Sequence, residues 1–172
     1  MTLRLPFSAQ TWLVIGGGAA IALLAGAHGF ETFGHYPPCE LCLRQRELHW
    51  AAWYVALAGF IASRFYPKAA RPACLLLGLV FLGSTVVAAY HAGVEWKWWP
   101  GPPTCSGAHT KAVTAADMAQ LLSGRVLTHI VQCDTAAWRL LGISMAGYNA
   151  LISLGLAALS LIEGAYRGRD HD

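Results

Sequence analysis

The sequence predicts an all-α integral membrane protein: a four-transmembrane-helix bundle with two outer loops, the second long. Three observations predict it. Hydrophobic residues make up 56% of the chain and charged residues only 12%, against roughly 25% charged in ordinary soluble domains. The apolar residues gather into four runs, each near the length a helix needs to cross a hydrocarbon core about 30 Å thick. The segments between the runs hold most of the charges and four of the five cysteines. At 172 residues the chain reads as a single domain, 1–172. Its formal charge is +3, and no basic run suggests a nucleic-acid partner.

The first span is expected over 12–30, interrupted only by His28. Arg4, the apolar stretch and Ala25-Gly26-Ala27 also resemble a secretory signal peptide. Gly16-Gly17-Gly18 and the neighbouring alanines fit close helix packing at least as well, because small residues let membrane helices approach. Pro37-Pro38 then closes a loop and leads into Cys39, since proline suits a helix entrance but not its interior. The apolar run 48–63 is slightly short, so its helix is expected to start earlier, near Cys42, with a span over 45–63. Arg44 and Arg46 then lie at the membrane surface on its first turns.

The turn 64–72 carries Arg64, Lys68 and Arg71 and no acid. A third span follows over 73–91 and a fourth over 143–162. In the long loop between them, Trp96, Trp98 and Trp99 form an interfacial aromatic belt, and Pro100-Gly101-Pro102-Pro103 breaks any helix. A short amphipathic helix is expected over 114–122, with Thr114 as N-cap and Asp117 three residues later. It either lies on the bilayer or packs on the protein. Both chain ends and the 64–72 turn hold six of the 12 basic residues in little length. The positive-inside rule therefore puts both termini in the cytoplasm and both cysteine-bearing loops outside.

Cys39 and Cys42 form a Cys-x-x-Cys at the start of the second helix, where the helix dipole and free N–H groups favour thiolate. So small a ring hardly constrains the unfolded chain, so the pair is worth more as a redox couple than as a clip. Cys105 and Cys133 lie in the long loop and read equally as a structural staple or as a second exchangeable pair. Four cysteines could hold zinc, but only one pair has ligand spacing, so no metal is expected. Cys74, inside a run, reads as a small buried hydrophobe. Arg46 lies one turn after Cys42, where a cation could favour its thiolate and polarise a carbonyl; the alternative is an arginine reaching for headgroups. His91, at the outer end of the third run, could donate to an acceptor carbonyl or bond to backbone, with Glu95 one turn on. His28 and Glu31 are ambiguous in the same way.

Pro38-Cys39-Glu40-Leu41-Cys42 leading to Arg46, the later Cys105 and Cys133, Tyr90-His91-Ala92-Gly93-Val94-Glu95, Gly101-Pro102 and Gly142-Ile143-Ser144-Met145-Ala146 with Asn149 together resemble the disulfide bond formation protein B (DsbB) family. The resemblance covers nearly the whole chain. It implies a bacterial inner-membrane oxidoreductase, with redox loops in the periplasm, that reoxidises a periplasmic DsbA-type thioredoxin-fold oxidase. Electrons would pass from Cys105–Cys133 to Cys39–Cys42 and on to a membrane quinone, ubiquinone or menaquinone. Cys105 would meet the partner and Cys133 would pair transiently with Cys39. Cys42 would face the quinone, with Arg46 and His91 as its contacts. Two other readings remain: a non-catalytic membrane protein with structural disulfides, and a vitamin K epoxide reductase-like quinone reductase. In the latter family the loop pair precedes the Cys-x-x-Cys, the reverse of the order here.

Overall fold

A computed structural model of the chain describes residues 8–102 and 133–165. The expected 114–122 helix and Cys105 lie outside them. The described residues are mainly helical: α1 (Ala9–Gly34), α2 (Glu40–Phe65), a 3-10 turn (Pro67–Ala69), α3 (Ala70–Glu95), β1 (Arg139–Leu140), β2 (Ile143–Ser144) and α4 (Met145–Ala165). Ser8 caps α1, its side chain accepting from the Thr11 backbone N–H. The chain leaves α1 through His35 in the left-handed region, φ 55°. Two prolines follow, and Cys39 then caps α2.

Helices α1, α3 and α4 are long and apolar enough to cross a membrane. Helix α2 is as long, 26 residues, but Glu40, Arg44, Arg46, Glu47 and His49 crowd its first half and lower its hydropathy. Many large apolar side chains point outward, among them Val14, Ile61, Leu79, Val86 and Leu151. Such a surface is a liability in water and the expected one in lipid. The interior holds Leu13, Leu77 and Phe81 with small residues and the fully buried Ser84, Ser153 and Ser160. Each of these hydroxyls finds a partner nearby: Trp12 Nε1 donates to Ser160 Oγ at 2.9 Å, and the Ser153 and Ser84 hydroxyls lie in hydrogen-bond contact at 3.3 Å.

Small residues set the helix spacing. A Cβ on Gly17 would come within 2.9 Å of Ala56 on α2, and one on Gly16 within 2.9 Å of Leu77 on α3. Gly18 has open space instead, so two of the three glycines do the packing. Cys74 is fully buried, its thiol donating to the Ala9 carbonyl at 3.4 Å. At the end of α3, Trp99 folds back over Gly93, stacks on Tyr90 at 6.0 Å and donates to the Tyr90 carbonyl. Trp98 stays exposed. Strands β1 and β2 pair antiparallel, Arg139 with Ser144 and Leu140 with Ile143. Their two-residue turn has positive φ at Leu141 and Gly142, the geometry that matches strand twist.

Helix α3 packs most extensively on α4, and α2 on both α1 and α3, while α1 and α4 meet only sparsely. That sparse meeting leaves room for the cavity described next.

Candidate functional site

The site begins with a spacing. In the helix cap at Cys39, the residue three positions on supplies an N–H within reach of the cap side chain. Here that residue is Cys42, and its backbone N–H donates to Cys39 Sγ at 3.3 Å. One geometry therefore fixes both sulfurs. The Cys39 thiol donates to Cys42 Sγ at 2.9 Å. That bond, then burial and the charge of Cys42, hold the Cys39 pKa well above the ordinary thiol value. The same bond lowers the Cys42 pKa, with its backbone hydrogen bond and the Arg46 charge helping and burial and Glu95 opposing. In the reduced pair the proton stays on Cys39, and Cys42 ionises first.

Cys39, Cys42 and Cys74 are free thiols, whereas Cys133 is disulfide-bonded. Cys133 is buried and packs with Cys39 and Leu41. The tertiary structure thus brings the second pair's Cys133 onto the first pair at its Cys39 side. Cys105 lies outside the described residues.

His91 reaches the same place from α3. Its Nε2 lies 3.6 Å from Cys39 Sγ and 3.7 Å from Glu95 Oε1, and the Cys133 backbone carbonyl also accepts from its ring. Its Nδ1 lies 2.9 Å from Gln45 Nε2. The donor atoms of Cys39, Cys42 and His91 all fall within 4.8 Å of one another. Arg46 projects from α2 toward α1, where Nη1 donates to Glu31 Oε2 at 2.6 Å and Nη2 to the Ala27 carbonyl at 3.1 Å.

Cys39, Cys42, Arg46 and His91 border one cavity of about 400 Å³. It lies between α1 and α4 above one face of α2. Its walls are mostly apolar and aromatic, including Phe30, Tyr36, Trp138 and Ile152, and its polar groups cluster on the α2 side. Phe30 and Tyr148 flank Trp138, at ring distances of 5.5 and 6.2 Å. An apolar slot with a few convergent polar groups is the usual form of a small-molecule site.

Four contributors went unassigned in the sequence. Glu31 was ambiguous there; it is the partner of Arg46. Gln45, His49 and Asn149 form a buried chain: Asn149 Nδ2 donates to Gln45 Oε1 at 2.6 Å, and His49 Nε2 to Asn149 Oδ1 at 2.9 Å. His49 Nδ1 has no hydrogen-bond partner among the described residues and its ring borders the cavity. A signal was present: Cys42, Gln45 and His49 fall on one helical face, and Asn149 is a lone amide in an apolar run, where polar residues usually mark function.

The family model for disulfide bond formation protein DsbB matches residues 9–162. The chain is 30% identical to disulfide bond formation protein B of Methylococcus capsulatus, over 91% of this chain and 94% of that protein. It is 28% identical to the protein of the same description from Dechloromonas aromatica, over 89% and 90%. A third, from Alkalilimnicola ehrlichii, is 29% identical over 86% and 95%.

Proposed function

The chain belongs to the DsbB family of disulfide bond formation proteins, and from that membership we propose that it is a quinone-dependent thiol oxidase of the bacterial inner membrane. On this reading it reoxidises a periplasmic DsbA-type dithiol oxidase and passes two electrons to ubiquinone or menaquinone. All four long helices span the bilayer, α2 included, with both termini cytoplasmic and the redox loops periplasmic. The basic residues of the 64–72 turn support this orientation. So does the position of Cys39 at the end of α2 remote from that turn.

The observation that carries the reading is the placement of the Cys39–Cys42 pair between a second cysteine and an apolar cavity. Cys39 packs with the disulfide-bonded Cys133, and both Cys39 and Cys42 border the cavity that Arg46 also lines. The cavity suits a quinone head: its volume is within the small-molecule range, its walls are apolar, and a guanidinium and an amide line one side. A bound quinone supplies a two-electron, two-proton acceptor. Arg46, held by Glu31 and Ala27, presents fixed positive charge next to the Cys42 thiolate. His91 lines the cavity beside Cys39. At the other end, a thiolate of the partner opens the Cys105–Cys133 disulfide at Cys105. The released Cys133 thiolate then attacks Cys39, so that Cys42 leaves on the cavity side.

The test is quinone-dependent oxidation of a reduced DsbA-type partner by the purified protein. Wild type should turn over and Cys42→Ser should not. Unchanged turnover in Cys42→Ser would sink the assignment.

A further inference from the structure

We infer that His91 is a catalytic hydrogen-bond donor to Cys39 in the exchange between the two cysteine pairs, held in the required tautomer by Gln45, Asn149 and His49. This deepens the thiol-exchange half of the function proposed above and does not depend on a quinone.

The tautomer follows from the order of donors and acceptors. An amide oxygen only accepts and an amide nitrogen only donates. His49 Nε2–H and Ser153 Oγ–H both donate to Asn149 Oδ1. That leaves Asn149 Nδ2 to donate to Gln45 Oε1. Gln45 then presents its Nε2–H to His91 Nδ1, which must accept. In a neutral imidazole the proton is therefore on Nε2, the nitrogen that faces Cys39 Sγ. Gln45, His49 and His91 are each at least nine-tenths buried, so water competes little for these bonds.

The chemistry places a need there. After Cys133 has bonded to Cys39 Sγ, the Cys39–Cys42 bond has broken and its electron pair rests on Cys42. In the next step Cys105, displaced as a thiolate from the mixed disulfide when the partner's second thiolate closes the partner's own disulfide, bonds to Cys133 Sγ. The Cys39–Cys133 bond breaks and the electron pair goes to Cys39 Sγ. Cys39 thus departs as an anion beside Cys42, already anionic, and near Glu95. The donors aimed at it are the Cys42 backbone N–H and His91 Nε2–H. The His91 proton is shared with the leaving sulfur and stays on nitrogen, so no proton is gained or lost. His91 also contacts the Cys133 backbone, so it sits at the junction of the two exchanging sulfurs. The titratable groups facing this junction are Cys42 on α2 and Glu95 on α3, since Cys133 is disulfide-bonded; Arg139 donates to the Glu95 carbonyl.

The test uses the full chain in detergent, reduced, with neither quinone nor partner added. Site-assigned 15N shifts of His91 should report the Nε2–H tautomer, and Gln45→Met should shift the population toward Nδ1–H. In a Cys42→Ser background, His91→Phe should slow alkylation of Cys39 at neutral pH by roughly fivefold, somewhat under one unit of thiol pKa. Alkylation of Cys105 is the internal reference. Asn149→Leu should act in the same direction as Gln45→Met. An Nδ1–H tautomer in the native protein, or Cys39 labelling indifferent to His91→Phe, overturns the inference. The tautomer measurement decides alone if the His91 variant does not fold. Failure of quinone-dependent turnover with both readouts intact would count against the quinone reading instead.

Discussion

Arg46 and Glu31 join α2 to α1 through a 2.6 Å hydrogen-bonded ion pair at the edge of the cavity. The Arg46 side chain is 14% exposed and the Glu31 side chain 38%. Glu31 therefore anchors an arginine that would otherwise be free to reach for headgroups. The second Arg46 bond, to the Ala27 carbonyl, fixes the plane of the guanidinium.

This pairing makes Arg46 and Glu31 act as a unit. Arg46→Ala should raise the quinone KM about tenfold, in the range expected for loss of a charge-assisted hydrogen bond. Arg46→Lys should not restore it, because an ammonium cannot hold both partners and face the cavity. Glu31→Gln should raise the KM in the same direction but less. Quinone titration of each variant checks this, and an unaltered KM in Arg46→Ala would return the residue to a merely interfacial role.

The reduced thiol pair should titrate unequally. A lowered pKa keeps Cys42 as thiolate at pH values where an ordinary thiol is already protonated, and a raised pKa keeps Cys39 protonated above that range. As the pH falls, labelling of Cys42 should therefore persist to lower pH than labelling of a free cysteine, while Cys39 labels last. Removing the donor in Cys39→Ala should raise the Cys42 pKa and slow its labelling at neutral pH by about tenfold, one pKa unit. Mass-spectrometric mapping of alkylation against pH measures both.

Close helix contact should be intolerant of bulk. A Cβ at Gly59 would collide with the Ala73 Cβ on α3. Gly59→Val should cost about 1–3 kcal/mol, the usual penalty of overpacking, whereas Gly18→Ala, facing open space, should cost little. Thermal unfolding in detergent distinguishes them; equal losses would show that the α2–α3 contact is not limiting.

The hydrogen bond from Trp12 to Ser160 ties α1 to α4 at a fully buried hydroxyl. Trp12→Phe should destabilise the protein by about 1–3 kcal/mol, the cost of leaving a buried polar group unsatisfied. Adding Ser160→Ala should recover part of that loss, since no orphaned hydroxyl remains. A double-mutant cycle by thermal or denaturant unfolding reads the coupling, and strict additivity would deny it.

A Cys105→Ser variant should fail to trap a mixed disulfide with the reduced partner. A complex trapped through another cysteine, identified by peptide mapping, would reassign the first acceptor of electrons.

The legible part of this protein is the part written in local pattern. Apolar runs of membrane length announce α1, α3 and α4, because every backbone group in lipid must be bonded internally and only a helix does so within one segment. The Cys39–Cys42 spacing places both sulfurs on one helix cap, and Pro37-Pro38 marks where that helix starts. Helix α2 is less legible, since the polar face it turns toward the cavity dilutes its apolar signal. Which residues meet across helices was not written locally. Glu31 against Arg46, Cys133 against Cys39, and the order His49, Asn149, Gln45, His91 depend on how the helices pack, and that is set by small-residue contacts such as Gly17 on Ala56 and Gly59 beside Ala73. The sequence by itself determined a helical membrane protein with a capped thiol pair. Tertiary packing alone decided that the pair lies between a second cysteine and a cavity, because those neighbours come from separate helices and loops that meet only when the bundle closes.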